Sequence, residues 1–291
     1  LSLWAFFFMT KEGMRNCVVG SVLFCLALCF KQMALYYAPA VGCYLLGRCF
    51  SNRRQAIVNL GRLGVTVLVT FAALWWPFVS FGPGNTSYTE RLLHVLRRIF
   101  PVQRGLFEGK VANLWCALSV KPIRIRDRIA EDKQFAVSLM ITLLLILPAS
   151  YRAFRQGLQT HSTRHIDVLL LAATSSSLAF FLASFQVHEK SLLLSLAPAC
   201  LMQDPSIFFS FAVAWTMWPL LVIDRLQVAY ACTLVMFGSF LNLKADLRKE
   251  ASTPIWLMAF KYGLPVGLHL AEACVEPPSS LPDLFPVLWS V

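Results

Sequence analysis

The sequence predicts an all-α, polytopic membrane protein, a multi-helix transmembrane bundle, and three observations point that way. Of 291 residues, 57% belong to the hydrophobic set and only 14% are charged, against roughly 45–50% apolar and about 25% charged in soluble domains. Runs free of Asp, Glu, Lys and Arg cover residues 63 to 89, 134 to 151, 168 to 188, 205 to 223 and 226 to 243. Each is close to the roughly 17–25 residues that cross the hydrocarbon layer as a helix. The charges are clumped between these runs, so a soluble fold would have many all-apolar helices and nothing polar to cover them.

Taken in order, residues 1–9 read as part of one span, and 14–30 and 33–50 as two shorter ones, the second interrupted by Pro39. Residues 57–81 form a full-length span, followed by a long segment, 82–133, too polar for the hydrocarbon layer. Spans follow at 134–150, 166–187, 191–203, 206–223, 226–243 and 254–273, with a partial one at 284–291. Pro198, Lys261 and Pro265 mark the short or broken ones, which need protein around them to satisfy their backbone. All 291 residues read as one transmembrane domain. Starting at Leu1 and stopping inside the apolar Trp289-Ser290-Val291, the chain is expected to be an internal fragment of a longer protein.

Orientation follows from Lys and Arg in short loops. Arg48, Arg53 and Arg54, then Arg152, Arg155 and Arg164, then Lys244, Arg248 and Lys249 fall on one side when the spans are counted, and that side is expected to be cytoplasmic. The opposite side receives Lys31, the segment 82–133 and the His188-Glu189-Lys190 turn. That segment carries ten basic residues against five acidic ones, on the side where basic groups are disfavoured. It also holds Asn85-Thr86-Ser87, an N-x-S acceptor pattern suited to a lumenal loop.

The net charge of +11 raises nucleic acid as a partner, but no finger, helix-turn-helix or single-strand-binding pattern accompanies it, and none is expected. The nine cysteines never form C-x-x-C and lie almost all in apolar runs, so neither a metal site nor a disulfide framework is expected. Metalloprotease, P-loop, serine-hydrolase and D-x-D motifs are missing from the sequence.

Two constellations remain. Leu92, Leu93, Val95, Leu96 and Ile99 recur at helical spacing among Arg91, Arg97 and Arg98, the pattern of an amphipathic helix at the membrane surface. Arg97, Arg98, Arg104 and Lys110, with Gly105 between the last two, suit a lipid-linked phosphate or, equally on pattern, anionic headgroups. The turn His188-Glu189-Lys190 stands at the end of a long apolar run. It reads as helix-end capping or as a site in which His188 and Lys190 meet sugar or phosphate and Glu189 orients them. Lys31 is either a cap or a polar contact to substrate on the same side.

Four blocks carry a family resemblance: LFCLALCFKQMALYYAP, RRIFPVQRGLFEGKVANLWC, FQVHEKSLLL and PPSSLPDLFPVL. In this order they strongly resemble the alpha-1,3-glucosyltransferases of the endoplasmic reticulum that act on dolichol-linked oligosaccharide. KVANLWC after RGLFEGK resembles the branch that adds the first glucose to the nine-mannose glycan rather than the second-glucose branch. The resemblance implies a glycosyltransferase C type fold in the endoplasmic reticulum membrane, multi-pass, with its site facing the lumen. It implies dolichyl-phosphate glucose as donor, dolichol-linked oligosaccharide as acceptor, the lipid bilayer as surroundings and no cofactor. Under it Lys31, Arg97, Arg98, Arg104, Lys110, His188, Glu189 and Lys190 become candidates for binding substrate phosphate or sugar. Ala34 and Gly109 depart from the acidic residues the family commonly has there. The family's general base is expected upstream of this chain, so no catalytic residue is assigned and the isolated fragment is expected to be inactive. The second-glucose branch is the alternative within the family, and a membrane transporter or lipid-handling protein using His188, Glu189 and Lys190 is the alternative class, although the sequence has no internal repeat of the kind such folds show.

Overall fold

A computed structural model describes residues 1–81, 87–99, 113–118, 125–159, 164–184, 187, 189–202, 207–240, 254–278 and 284–288. Among them every regular element is helical: α1 (Ser2–Thr10), α2 (Met14–Phe30), a 3-10 segment (Gln32–Tyr37), α3 (Ala38–Phe50), α4 (Ala56–Ser80) and α5 (Tyr88–Ile99). The short α6 (Leu114–Leu118) and α7 (Ile125–Arg128) precede α8 (Glu131–Leu158) and α9 (His165–Ala183). Then come a 3-10 turn (Glu189–Ser191), α10 (Leu192–Ala199), α11 (Ile207–Thr216), α12 (Trp218–Ile223) and α13 (Gln227–Phe240). Helical stretches Ile255–Met258, Leu264–Cys274 and Leu284–Leu288 complete the described chain, the first two joined by a π-helical turn, Ala259–Gly263.

Among the described residues, three stretches, Arg53–Ser80, Lys133–Leu158 and His165–Ala183, are long and apolar enough to cross a membrane. Their outer faces agree with lipid as the solvent. Val65, Leu68, Val69, Trp76 and Phe78 of α4, and Met140, Leu143, Leu144 and Leu147 of α8, are exposed. A continuous apolar surface of this kind is not stable in water.

Prolines explain where helices break. Pro219 and Pro265 have no N–H to continue the ladder, so the apolar run 206–223 divides at Met217 and the run 254–273 at the π turn. Pro148, by contrast, sits inside α8, which runs on to Leu158. Arg152 and Arg155 therefore lie on the last turns of a helix rather than in a loop. Arg48 is likewise the buried end of α3, its Nη2 donating to the Lys11 carbonyl at 3.1 Å.

The core is built around α3. Phe6, Phe24, Tyr37, Val41, Tyr44, Ala153, Leu169 and Leu170 form one buried cluster drawn from α1, α2, α3, α8, α9 and the 3-10 segment. α3 and α8 touch backbone to backbone. A Cβ on Gly47 would meet the Phe154 carbonyl and lie 3.0 Å from Gly157 Cα; a Cβ on Gly157 would meet the Tyr44 carbonyl. Small residues at a crossing allow this close approach, which gives membrane helices much of their contact energy.

The bundle has two chemically different ends. At one, Tyr44 Oη is 3.1 Å from His165 Nδ1, and Gly47 meets Gly157, so the ends of α3 and α8 and the start of α9 lie together. Arg48, Arg53, Arg54, Arg152, Arg155 and Arg164 belong to this end. Lys31, the 3-10 segment, the last turn of α9 and the Glu189–Ser191 turn belong to the other.

Candidate functional site

Lys31 closes α2 and opens the 3-10 segment: its N–H donates to the Ala27 carbonyl at 2.9 Å, and its carbonyl accepts from the Ala34 N–H at 3.0 Å. Its side chain is exposed. Two tyrosines bind the following segment to α9 and α10. The Tyr36 ring stacks on Phe180 with centroids 4.8 Å apart, and its carbonyl accepts from Ser176 Oγ at 2.7 Å. The Tyr36 hydroxyl faces the Ser184 and Ser191 side chains. Tyr37 Oη donates to the Leu194 carbonyl at 2.5 Å. The segment after Lys31 is thus held against the turn that carries Glu189 and Lys190.

A third piece joins them. The Trp115 ring is fully buried and its Nε1 donates to the Ala183 carbonyl at 2.9 Å, while Ser138 Oγ donates to the same oxygen at 2.7 Å. The long polar segment, through α6, and the beginning of α8 therefore both dock on the final residue of α9. This is the position from which the chain enters the turn before Lys190. Lys190 itself is exposed. Two ammonium groups, Lys31 and Lys190, project from segments that Tyr36 and Tyr37 clamp together, an arrangement that favours an anionic ligand at this end.

The basic helix is anchored elsewhere along the same segment. α5 begins with a capping box: the Ser87 N–H donates to Glu90 Oε2 at 3.0 Å, and the Glu90 N–H donates back to Ser87 Oγ at 3.3 Å. Arg91 Nη1 donates to the Val79 and Ser80 carbonyls at 3.1 and 3.3 Å, satisfying the open end of α4. Arg97 is exposed on the last turn of α5, and Arg98 follows it in the helix. Arg104, Lys110 and His188 lie outside the described residues, as does Asn85. Of Glu189 the backbone is described, in its 3-10 turn.

Tyr36, Tyr37, Trp115 and Ser138 were not legible as site residues. Each is an ordinary core or helix residue by pattern, and only the fold turns its polar atom toward a neighbouring segment. Trp115 and the tyrosines did stand inside conspicuous sequence blocks, which was the one signal available.

The ALG6, ALG8 glycosyltransferase family model matches residues 1–291. The chain is 36% identical over 301 residues to dolichyl pyrophosphate Man9GlcNAc2 alpha-1,3-glucosyltransferase of Gallus gallus, covering 93% of this chain and 56% of that relative. It is 32% identical over 306 residues to the protein of the same name from Saccharomyces cerevisiae, covering 93% of this chain and 54% of the relative. A probable enzyme of that name from Arabidopsis thaliana is 32% identical over 287 residues, with 93% and 51% covered. The chain thus spans about half the length of the curated relatives it matches.

Proposed function

The chain belongs to the ALG6, ALG8 glycosyltransferase family, and from that premise we propose that the protein it forms transfers glucose from dolichyl-phosphate glucose to dolichol-diphosphate-linked Man9GlcNAc2. The new bond is alpha-1,3 to the mannose arm, and the reaction belongs to protein N-glycosylation. The names carried by the relatives support the acceptor and the linkage. The apolar helices support a membrane setting. We place the protein in the endoplasmic reticulum membrane with the Arg48–Arg164 end in the cytoplasm and the Lys31–Lys190 end at the lumen, following the bias of basic residues in short loops.

The chemistry is an inverting displacement. A mannose hydroxyl loses its proton to a carboxylate, its oxygen attacks the anomeric carbon of glucose, and dolichyl phosphate departs from the opposite face. Negative charge grows on the leaving phosphate, so cations held at that point lower the barrier. Lys31 and Lys190 serve that role, with Arg97, Arg98, Arg104 and Lys110 of the long segment gathering lipid-linked phosphate and His188 and Glu189 orienting sugar or phosphate. The donor is itself an activated sugar, so no separate cofactor is required.

The observation that supports this reading best is the convergence of three distant segments, 31–37, 113–115 and 189–194, on the end of α9. In the complete enzyme Lys31→Ala and Lys190→Ala each lower glucosyl transfer about tenfold or more, the usual size of a lost charge-assisted contact. Arg155→Ala, at the opposite end, leaves transfer close to wild type. The assay is transfer of labelled glucose to lipid-linked oligosaccharide, and equal losses at all three positions overturn the assignment.

A further inference from the structure

The helix α5 is tied to the end of a membrane-spanning stretch. Arg91 Nη1 donates to the Val79 and Ser80 carbonyls at 3.1 and 3.3 Å, so the first turns of α5 sit at the depth of the last turn of α4. Trp76, Phe78 and Phe81 are exposed along that part of the chain, and Tyr88 is exposed on the first turn of α5. Exposed aromatic rings at the end of a span mark the headgroup level of a bilayer.

The two faces of α5 differ in chemistry. Tyr88, Leu92, Val95 and Leu96 fall at i, i+4, i+7 and i+8, one stripe of a helix, while Glu90, Arg91, His94 and Arg97 form the opposite stripe. Ile99 and Arg98 continue the two rows in the sequence. Leu92 and Leu93 are exposed, Val95 and Leu96 are half-buried, and among the described residues α5 packs chiefly on α4. A helix of this length is marginal in water without a surface to lie on. It is also too short to cross the hydrocarbon layer, so with one apolar and one basic row it belongs in the plane of the interface.

Charge selects the lipid. Glu90 is committed to the capping box with Ser87, and Arg91 to the carbonyls of α4. Beyond them no Asp or Glu occurs from Leu92 to Phe107, a stretch that holds Arg97, Arg98 and Arg104. A basic row above an apolar one is complementary to anionic headgroups above acyl chains.

We infer that α5 is a docking surface for the bilayer itself: an in-plane helix that sets its Leu92 row into the leaflet where α4 ends and binds anionic phospholipid headgroups through Arg97 and Arg98. This goes beyond the glucosyl-transfer reading and stands without it, since the partner is bulk phospholipid and not the donor. The experiment is hydrogen exchange, read by mass spectrometry, on the complete protein in nanodiscs of phosphatidylcholine alone and of phosphatidylcholine mixed with phosphatidylserine. Amides of residues 92–99 exchange about tenfold or more slowly in the mixed lipid, from about fivefold per basic group at an anionic surface, and the gain shrinks in high salt. Arg97→Gln combined with Arg98→Gln cuts that gain to about twofold or less. Leu92→Asp removes protection in both lipids, whereas His94→Gln, on the polar row, leaves it as in the wild type. The arginine pair variant keeps the apolar row intact, so its result stands even where Leu92→Asp loosens the helix. Equal exchange in the two lipids, or a full gain in the arginine pair variant, overturns the docking. Slowing by dolichyl phosphate but not by phosphatidylserine also overturns it and favours the gathering of lipid-linked phosphate. Slowing that follows protein concentration in lipid-free detergent, the mark of a second copy covering α5, overturns it too. Phosphatidylserine-dependent slowing in a complete protein that transfers no glucose supports the docking and counts against the transfer reading alone.

Discussion

Trp115 illustrates how a residue of bland composition becomes important through one atom. Its ring is a large apolar body that is fully buried, and the polar handle on it reaches the Ala183 carbonyl. Ser138 shares that acceptor, so losing either donor alone leaves the oxygen satisfied. Trp115→Phe and Ser138→Ala are each expected to cost about 1 kcal/mol beyond any packing loss. The double variant strands the carbonyl and costs about 1–3 kcal/mol more than the sum. Unfolding midpoints of the three variants in detergent measure this, and strict additivity overturns the shared role. Lys31 and Lys190 differ from Trp115 in being readable from the sequence, because a cation beside a long apolar run is conspicuous whatever the fold. An indole inside an apolar stretch is not, since the same residue serves as plain core in most places.

At the scale of elements, the helices follow local rules and their contacts do not. The capping box Ser87–Glu90 and the breaks at Pro219 and Pro265 are consequences of a few neighbouring residues. The meeting of α3 with α8 depends on Gly47 and Gly157, 110 positions apart. Gly47→Val forces side-chain atoms into the Phe154 carbonyl and is expected to destabilise by about 1–3 kcal/mol or more. Gly61 of α4 has nothing within 4 Å of an added Cβ, so Gly61→Ala should instead stabilise by up to about 1 kcal/mol through helix propensity. Thermal unfolding of both variants tests the pair: equal effects would mean that the crossing is looser than described. Basic residues show a related limit of local reading. Arg152 and Arg155 look like loop residues by charge, yet α8 continues through them: Arg152, Ala153, Arg155 and Gln156 are good helix formers and no further proline intervenes before Leu158.

For the whole molecule, the decisive property is the separation of basic residues between two ends. Arg48, Arg53, Arg54, Arg152, Arg155 and Arg164 lie at the end where Tyr44 meets His165. Lys31 and Lys190 lie where Tyr36 and Tyr37 meet α9 and α10. Under the proposed orientation these ends face different compartments. With the native cysteines replaced, Lys31→Cys and Arg54→Cys in sealed vesicles should react with a membrane-impermeant maleimide from opposite sides. Labelling of both from the same side overturns the orientation and, with it, the lumenal placement of the site.

The sequence by itself determined the solvent and the class of fold, because the length of an apolar run and the bias of its flanking charges are local quantities that the bilayer reads directly. Its blocks also marked the neighbourhoods of Lys31, Trp115 and Lys190. Only the tertiary structure decided that these neighbourhoods meet at the end of α9, and that Arg91 ties α5 to the end of α4. The physical reason is that hydrogen bonds such as Trp115 to Ala183 and Tyr37 to Leu194 join positions 68 and 157 residues apart. Neither helical periodicity nor hydropathy has any term for contacts at that separation.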